Sequence, residues 1–128
     1  MNFELGEKIV AAFSNYGKAN VDVYAPGVKI YATTPNNTYK YLQGTSMASP
    51  NVAGVAALMK SVRSSLTPVE FDALLESGSL TDDLGLAGKD TFYGVGLVNA
   101  YKAVRAANTN LADLSARISL SPSNIDFD

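Results

Sequence analysis

The string Gly44-Thr45-Ser46-Met47-Ala48-Ser49-Pro50-Asn51-Val52-Ala53-Gly54 holds the residues best suited to chemistry. Ser46 opens a run to Val62 in which small and apolar residues lie on all sides until Lys60. Such a run reads as a helix buried all round. Pro50 is compatible with it near the first turn, where backbone N–H groups lack intrahelical partners. A serine at the N-terminus of a helix meets the positive end of the helix dipole, equivalent to about half a charge. That favours an anion beside the Ser46 N–H. Gly44 lets another chain approach the backbone closely. The arrangement suits an alkoxide attacking a carbonyl, with the tetrahedral oxyanion held by the same N–H. The simpler alternative is that Thr45 or Ser46 is an ordinary N-cap.

Histidine and cysteine both number 0. A Ser-His or Cys-His mechanism contained within this chain is therefore excluded, as are disulfides, thiolate sites and histidine-ligated metals. The net charge is -2 and no basic stripe exists, which argues against nucleic acid or an anionic membrane as partner. With 47% hydrophobic and 17% charged residues, the chain is no disordered tail. Residues 1–12 lack the pattern of a signal peptide. The longest nearly uncharged run, Leu42 to Met59, is too polar to span a membrane. Asp82, Asp83 and Asp90 fall in a polar loop, residues 79–91. Calcium is one reading of that loop, but the spacing fits no EF-hand, and a solvated loop is the better one. Gly94-x-Gly96 lacks a third glycine and reads as a tight connection rather than a nucleotide loop.

Around these residues the chain alternates strands and helices. Ile9 to Ser14, Val21 to Tyr24, Val28 to Thr34 and Tyr39 to Gln43 read as short strands, divided by Asn15-Tyr16-Gly17, Ala25-Pro26-Gly27 and Pro35-Asn36-Asn37-Thr38. After the Ser46–Val62 helix, Thr67 is an N-cap with Pro68 at N1 and Glu70 at N3, a capping box; Gly78 ends that helix. Asn99 caps a third helix, Ala100 to Ala107. Leu111 to Asp128 looks like the opening strands of a β-module, a short C-terminal β-prone stub.

The eleven-residue string is similar to the serine signature of the subtilisin-like serine proteases, the subtilases, peptidase family S8. Phe13-Ser14-Asn15-Tyr16-Gly17 with Val21-Asp22-Val23-Tyr24-Ala25-Pro26-Gly27 resembles a second family segment, and Tyr93-Gly94-Val95-Gly96-Leu97-Val98-Asn99-Ala100 resembles a third. About residues 9–107 follow the C-terminal part of a subtilase catalytic domain in order and spacing, so the expected division is 1–110 for that portion and 111–128 for a linker and the start of a β-module. The resemblance implies an α/β fold, part of a three-layer α/β/α domain with a mostly parallel sheet.

It also implies roles. Ser46 resembles the catalytic nucleophile, and its N–H half of an oxyanion hole. Thr45, Gly44, Met47 and Pro50 support that motif. Leu42 and Gln43 line the leaving-group side of the substrate cleft. Asn51 stands where several family members have histidine. In subtilases the triad runs Asp, His, Ser along the chain. Only 45 residues precede Ser46, and none resembles the Asp or His motif. The expectation is a fragment of a secreted or periplasmic endopeptidase that cleaves peptides or proteins through an acyl-enzyme on Ser46 and is inactive alone. For subtilisin, the loss of Ser or His by itself costs about 10⁶-fold in turnover. The partner of the fragment would be the missing N-terminal half. No cofactor is expected in this chain, and calcium stays open for the parent. The alternative is a non-catalytic binding or assembly protein derived from a protease, self-associating through exposed apolar surface.

Overall fold

A computed structural model describes residues 10–108. The expected β-prone stub at 111–128 and the first residue of the Ile9–Ser14 strand lie outside them. The elements run β1 (Ile30–Thr34), β2 (Thr38–Leu42), α1 (Thr45–Val62), α2 (Pro68–Glu76), β3 (Thr81–Asp82), β4 (Leu97–Val98) and α3 (Ala100–Ala107). This mixture of helices and small sheets is a partial α/β domain.

β1 and β2 form an antiparallel hairpin, with Ile30 opposite Leu42 and Thr34 opposite Thr38. Alternation in β1 places Ile30, Ala32 and Thr34 on the less exposed face. Asn36 and Asn37 turn the chain with φ of 64° and 55°, a conformation that Asn tolerates better than most residues. The second sheet is also antiparallel, β3 with β4. The parallel pairing expected of the sheet is present as one bridge, Tyr24 to Leu97.

Two expected strands take other forms. Val10 to Ser14 is a turn-like segment, in which the Ser14 N–H donates to the Ala11 carbonyl at 2.9 Å. Apolar residues alone do not make a strand when no neighbour offers a ladder. Val21 to Tyr24 pairs with the far end of the described chain instead of with the hairpin. Val95 N–H donates to Asp22 (2.8 Å), Tyr24 N–H to Gly96 (3.0 Å) and Val98 N–H to Tyr24 (2.8 Å). β3 was hidden inside an expected loop, because two residues are too few to show a period.

The core joins Val55 and Met59 of α1, Leu66, Leu75 of α2, Leu80, Val95, and Ala103 and Ala107 of α3. Small residues on α3 let it lie close against α1. The predicted caps form. Thr67 accepts from the Glu70 N–H while Glu70 accepts from the Thr67 N–H at 2.8 Å, and Asn99 accepts from the Lys102 N–H at 3.1 Å. α1 departs from the expected burial. Val55 and Met59 are its only buried residues, whereas Leu58 and Val62 are 49% and 44% exposed. Among the described residues only one face of this helix is covered. No helix among the described residues is long and apolar enough to cross a membrane.

Candidate active site

The site is built where the hairpin feeds α1. β2 ends at half-buried Leu42, exposed Gln43 follows, and Gly44 is the N-cap. Gly44 has φ 143° and no side-chain cap, a backbone state that other residues rarely adopt. The ordinary N-cap alternative for Thr45 and Ser46 therefore fails. They are the first two helical residues, and their N–H groups are among those without an intrahelical acceptor. Both side chains are exposed. Met47 is half-buried, its N–H donating to the Gly44 carbonyl at 3.0 Å; the Ala48 N–H reaches the same carbonyl at 3.4 Å.

Pro50 lies deeper than the first turn, as the sixth residue of α1. Its absent N–H is the one that would have bonded to the Ser46 carbonyl. The Ser46 carbonyl thus lacks the helical donor four residues on.

An extended segment from earlier in the chain supports the Ser46 turn. Gly44 N–H donates to the Gly27 carbonyl at 2.8 Å. The Asn51 side-chain nitrogen donates to the Pro26 carbonyl at 2.9 Å and to the Met47 carbonyl at 3.1 Å. The sequence marked Asn51 only as a departure from histidine and gave no role to Pro26 or Gly27. The available signal was that Asn51 lies four residues past Met47 on a helix, within reach of its carbonyl. Between this segment and α1 runs an open, mostly apolar groove of about 550 Å³, walled by Phe13, Val23, Val28, Thr45 and Val52 among others. Ser46 is not on its wall.

The three loop aspartates do not converge. Asp82 meets Lys102 and Asn99, each at 2.8 Å, and those contacts hold its carboxyl below the usual range. Asp83 accepts from the Gly88 N–H at 2.8 Å. Asp90 is buried rather than solvated, a correction to the reading of a simple surface loop. Its Oδ1 accepts from Phe92 and Tyr93, both at 2.7 Å, and its Oδ2 from Leu86 at 3.0 Å. The Tyr93, Phe92 and Leu86 amides keep its carboxyl below the ordinary value. No cluster of three metal-ligating side chains occurs among the described residues.

Ser46 thus presents an exposed hydroxyl in the first turn of a helix, after a glycine cap and beside unbonded N–H groups, the two features that a nucleophilic serine with a backbone oxyanion donor requires. The family model for the subtilases, peptidase S8, matches residues 6–96. M-protease of Shouchella clausii (strain KSM-K16) and thermitase of Thermoactinomyces vulgaris are each 47% identical over 95 residues, and subtilisin Savinase of Lederbergia lenta is 44% identical. These alignments cover 74% of this chain and 23%, 32% and 33% of the respective relatives. The chain belongs to the subtilase family of serine peptidases. It spans about a quarter to a third of the length of the curated relatives it matches.

Proposed function

We propose that this chain is the serine-bearing, C-terminal part of the catalytic domain of a secreted subtilisin-like endopeptidase, with Ser46 as its nucleophile. The observation carrying this reading is exposed Ser46 in the first turn of α1, inside the contiguous Gly44–Gly54 motif.

Ser46 Oγ adds to the peptide carbonyl carbon while its proton passes to a histidine of the upstream polypeptide. The carbonyl electron pair moves to oxygen, beside the Ser46 N–H, with the Thr45 hydroxyl in support. When that pair returns, the C–N bond breaks and the imidazolium proton leaves with the amine. Water, deprotonated by the same imidazole, then releases the acid and restores Ser46. Leu42 and Gln43 line the leaving-group side, and Gly44, Met47 and Pro50 shape the turn. This chain supplies a nucleophile and one oxyanion donor but no general base, since it has 0 histidines. By itself it is inactive.

The test is fluorophosphonate labelling of this chain and of the polypeptide read in frame from further upstream in the gene. The chain alone stays unlabelled, and the extended protein labels at Ser46 and loses the label in Ser46→Ala. An extended protein that carries Asp and His motifs, folds, and labels elsewhere or nowhere overturns the reading.

A further inference from the structure

We propose that Asn51 is the positioning residue of this site: its side-chain amide bolts the Pro26–Gly27 segment onto the first turn of α1 and so fixes where Ser46 stands. The meaning of that position rests on the proposed role of Ser46; the clamp itself does not.

Three observations converge on it. First, the Ser46 turn lacks one helical bond. Pro50 brings no N–H to the Ser46 carbonyl, and the Met47 and Ala48 N–H groups share one acceptor, Gly44. Second, the external hold on this turn has two strands, Gly44 N–H to Gly27 and Asn51 to Pro26. The two acceptor carbonyls belong to adjacent residues, so a shift of the turn weakens both bonds together. Third, the Asn51 amide has no alternative orientation. Both of its partners are carbonyl oxygens, Pro26 and Met47, so only the nitrogen end satisfies them. One side chain thus ties a residue in the Ser46 turn to a segment that is itself anchored, through Asp22 and Tyr24, on the β4 end of the fold.

The isosteric change Asn51→Asp isolates this function. It keeps shape and volume but turns an oxygen toward two oxygens, so attraction becomes repulsion at both contacts. Because Asn51 is exposed, the fold does not depend on filling that space. Backbone amide exchange by NMR on the 128-residue chain reads the result. Protection of the Gly44 N–H is expected to fall about two- to tenfold in Asn51→Asp. The Asn99 N–H, which donates to Leu80 on the far side of the core, keeps its protection. Asn51→His returns a ring N–H donor and recovers part of the protection at Gly44.

Unchanged Gly44 protection in Asn51→Asp overturns the proposal. So does an equal loss at Gly44 and Asn99, which marks a merely structural residue whose removal loosens the whole domain. None of these readouts needs enzymatic activity, so a failed clamp and a failed protease reading are told apart.

Discussion

Gly27 and Gly44 touch backbone to backbone: the Gly44 N–H donates to the Gly27 carbonyl at 2.8 Å, and a Cβ placed on Gly27 would lie 2.9 Å from the Gly44 carbonyl oxygen. The obstruction is main chain, not the tip of a flexible side chain, so relief requires moving the segment or the helix. Gly27→Ala is expected to cost about 1–3 kcal/mol. Urea unfolding of the two chains checks the figure, and an unchanged midpoint would show that the segment does not seat on the cap.

Met59 is fully buried where α1 crosses the core, and Leu80 is equally buried beside it. Met59→Ala leaves a cavity among fixed neighbours and should destabilise by about 2–5 kcal/mol. Because whole domains are stable by only about 5–15 kcal/mol, this variant sits near the edge of folding at 25 °C. Thermal melts followed by circular dichroism report it.

Removing the hydroxyl of Thr67 breaks one half of the capping box of α2, leaving the Glu70 N–H without its acceptor, while the Thr67 N–H keeps its bond to the Glu70 carboxylate. Thr67→Ala is expected to lose about 1 kcal/mol. Thr67→Ser keeps the oxygen and most of the stability, which separates capping from packing.

Asp90 sets a pH dependence whose sign is fixed by its partners. Three amides favour the ionised form, so its folded pKa lies below the unfolded value of about 3.9. Its contribution is therefore complete above that value and is lost as pH falls through the lower, folded pKa. Asn at this position offers an NH₂ where one amide needs an acceptor. Asp90→Asn should thus lower the urea midpoint at pH 7 and pH 5, with the gap to the parent chain closing in stronger acid. A gap that persists undiminished at pH 2 would refute this account.

Lys89 behaves in the opposite sense. Its ammonium lies 2.9 Å from Asp22 and 2.8 Å from Glu76, and these carboxylates raise its pKa. The tie is present below the unfolded lysine value of about 10.4 and disappears as pH climbs through the folded one. Lys89→Met should weaken the loss of stability at alkaline pH and make stability less sensitive to salt, measured by melts at low and high ionic strength.

The sequence carried the helices well, because their boundaries rest on local chemistry. Thr67-Pro68-Glu70 and Asn99 act within one turn of themselves, and the structure places those caps at the expected residues. The Ser46 motif was legible for a similar reason, being contiguous. The pairing of Val21 to Tyr24 was not legible, since its partners come from the Gly94–Val98 segment and no period in either stretch names the other. Asp90 was misread because an acidic residue in a polar loop ordinarily faces water, and only the folded turn shows three amides aimed at it. Asn51 was marked only as a departure from histidine, since a polar residue on an apolar helix says nothing about which distant carbonyl it will meet.

The bond between Tyr24 and Gly96 also sets an order of events in time. The Pro26–Gly27 segment is anchored through a stretch whose partners lie at the other end of the described chain. Contacts so distant in sequence must close a long loop before they return any stabilisation, and they form late. α1 consists of local contacts and forms early. During synthesis the Ser46 helix therefore exists for a time without its anchor. The site matures only after Gly96 and Val98 have left the ribosome. On the proposed reading, Ser46 is therefore made before the contact that seats its helix, so the residue and its anchor are separated in time.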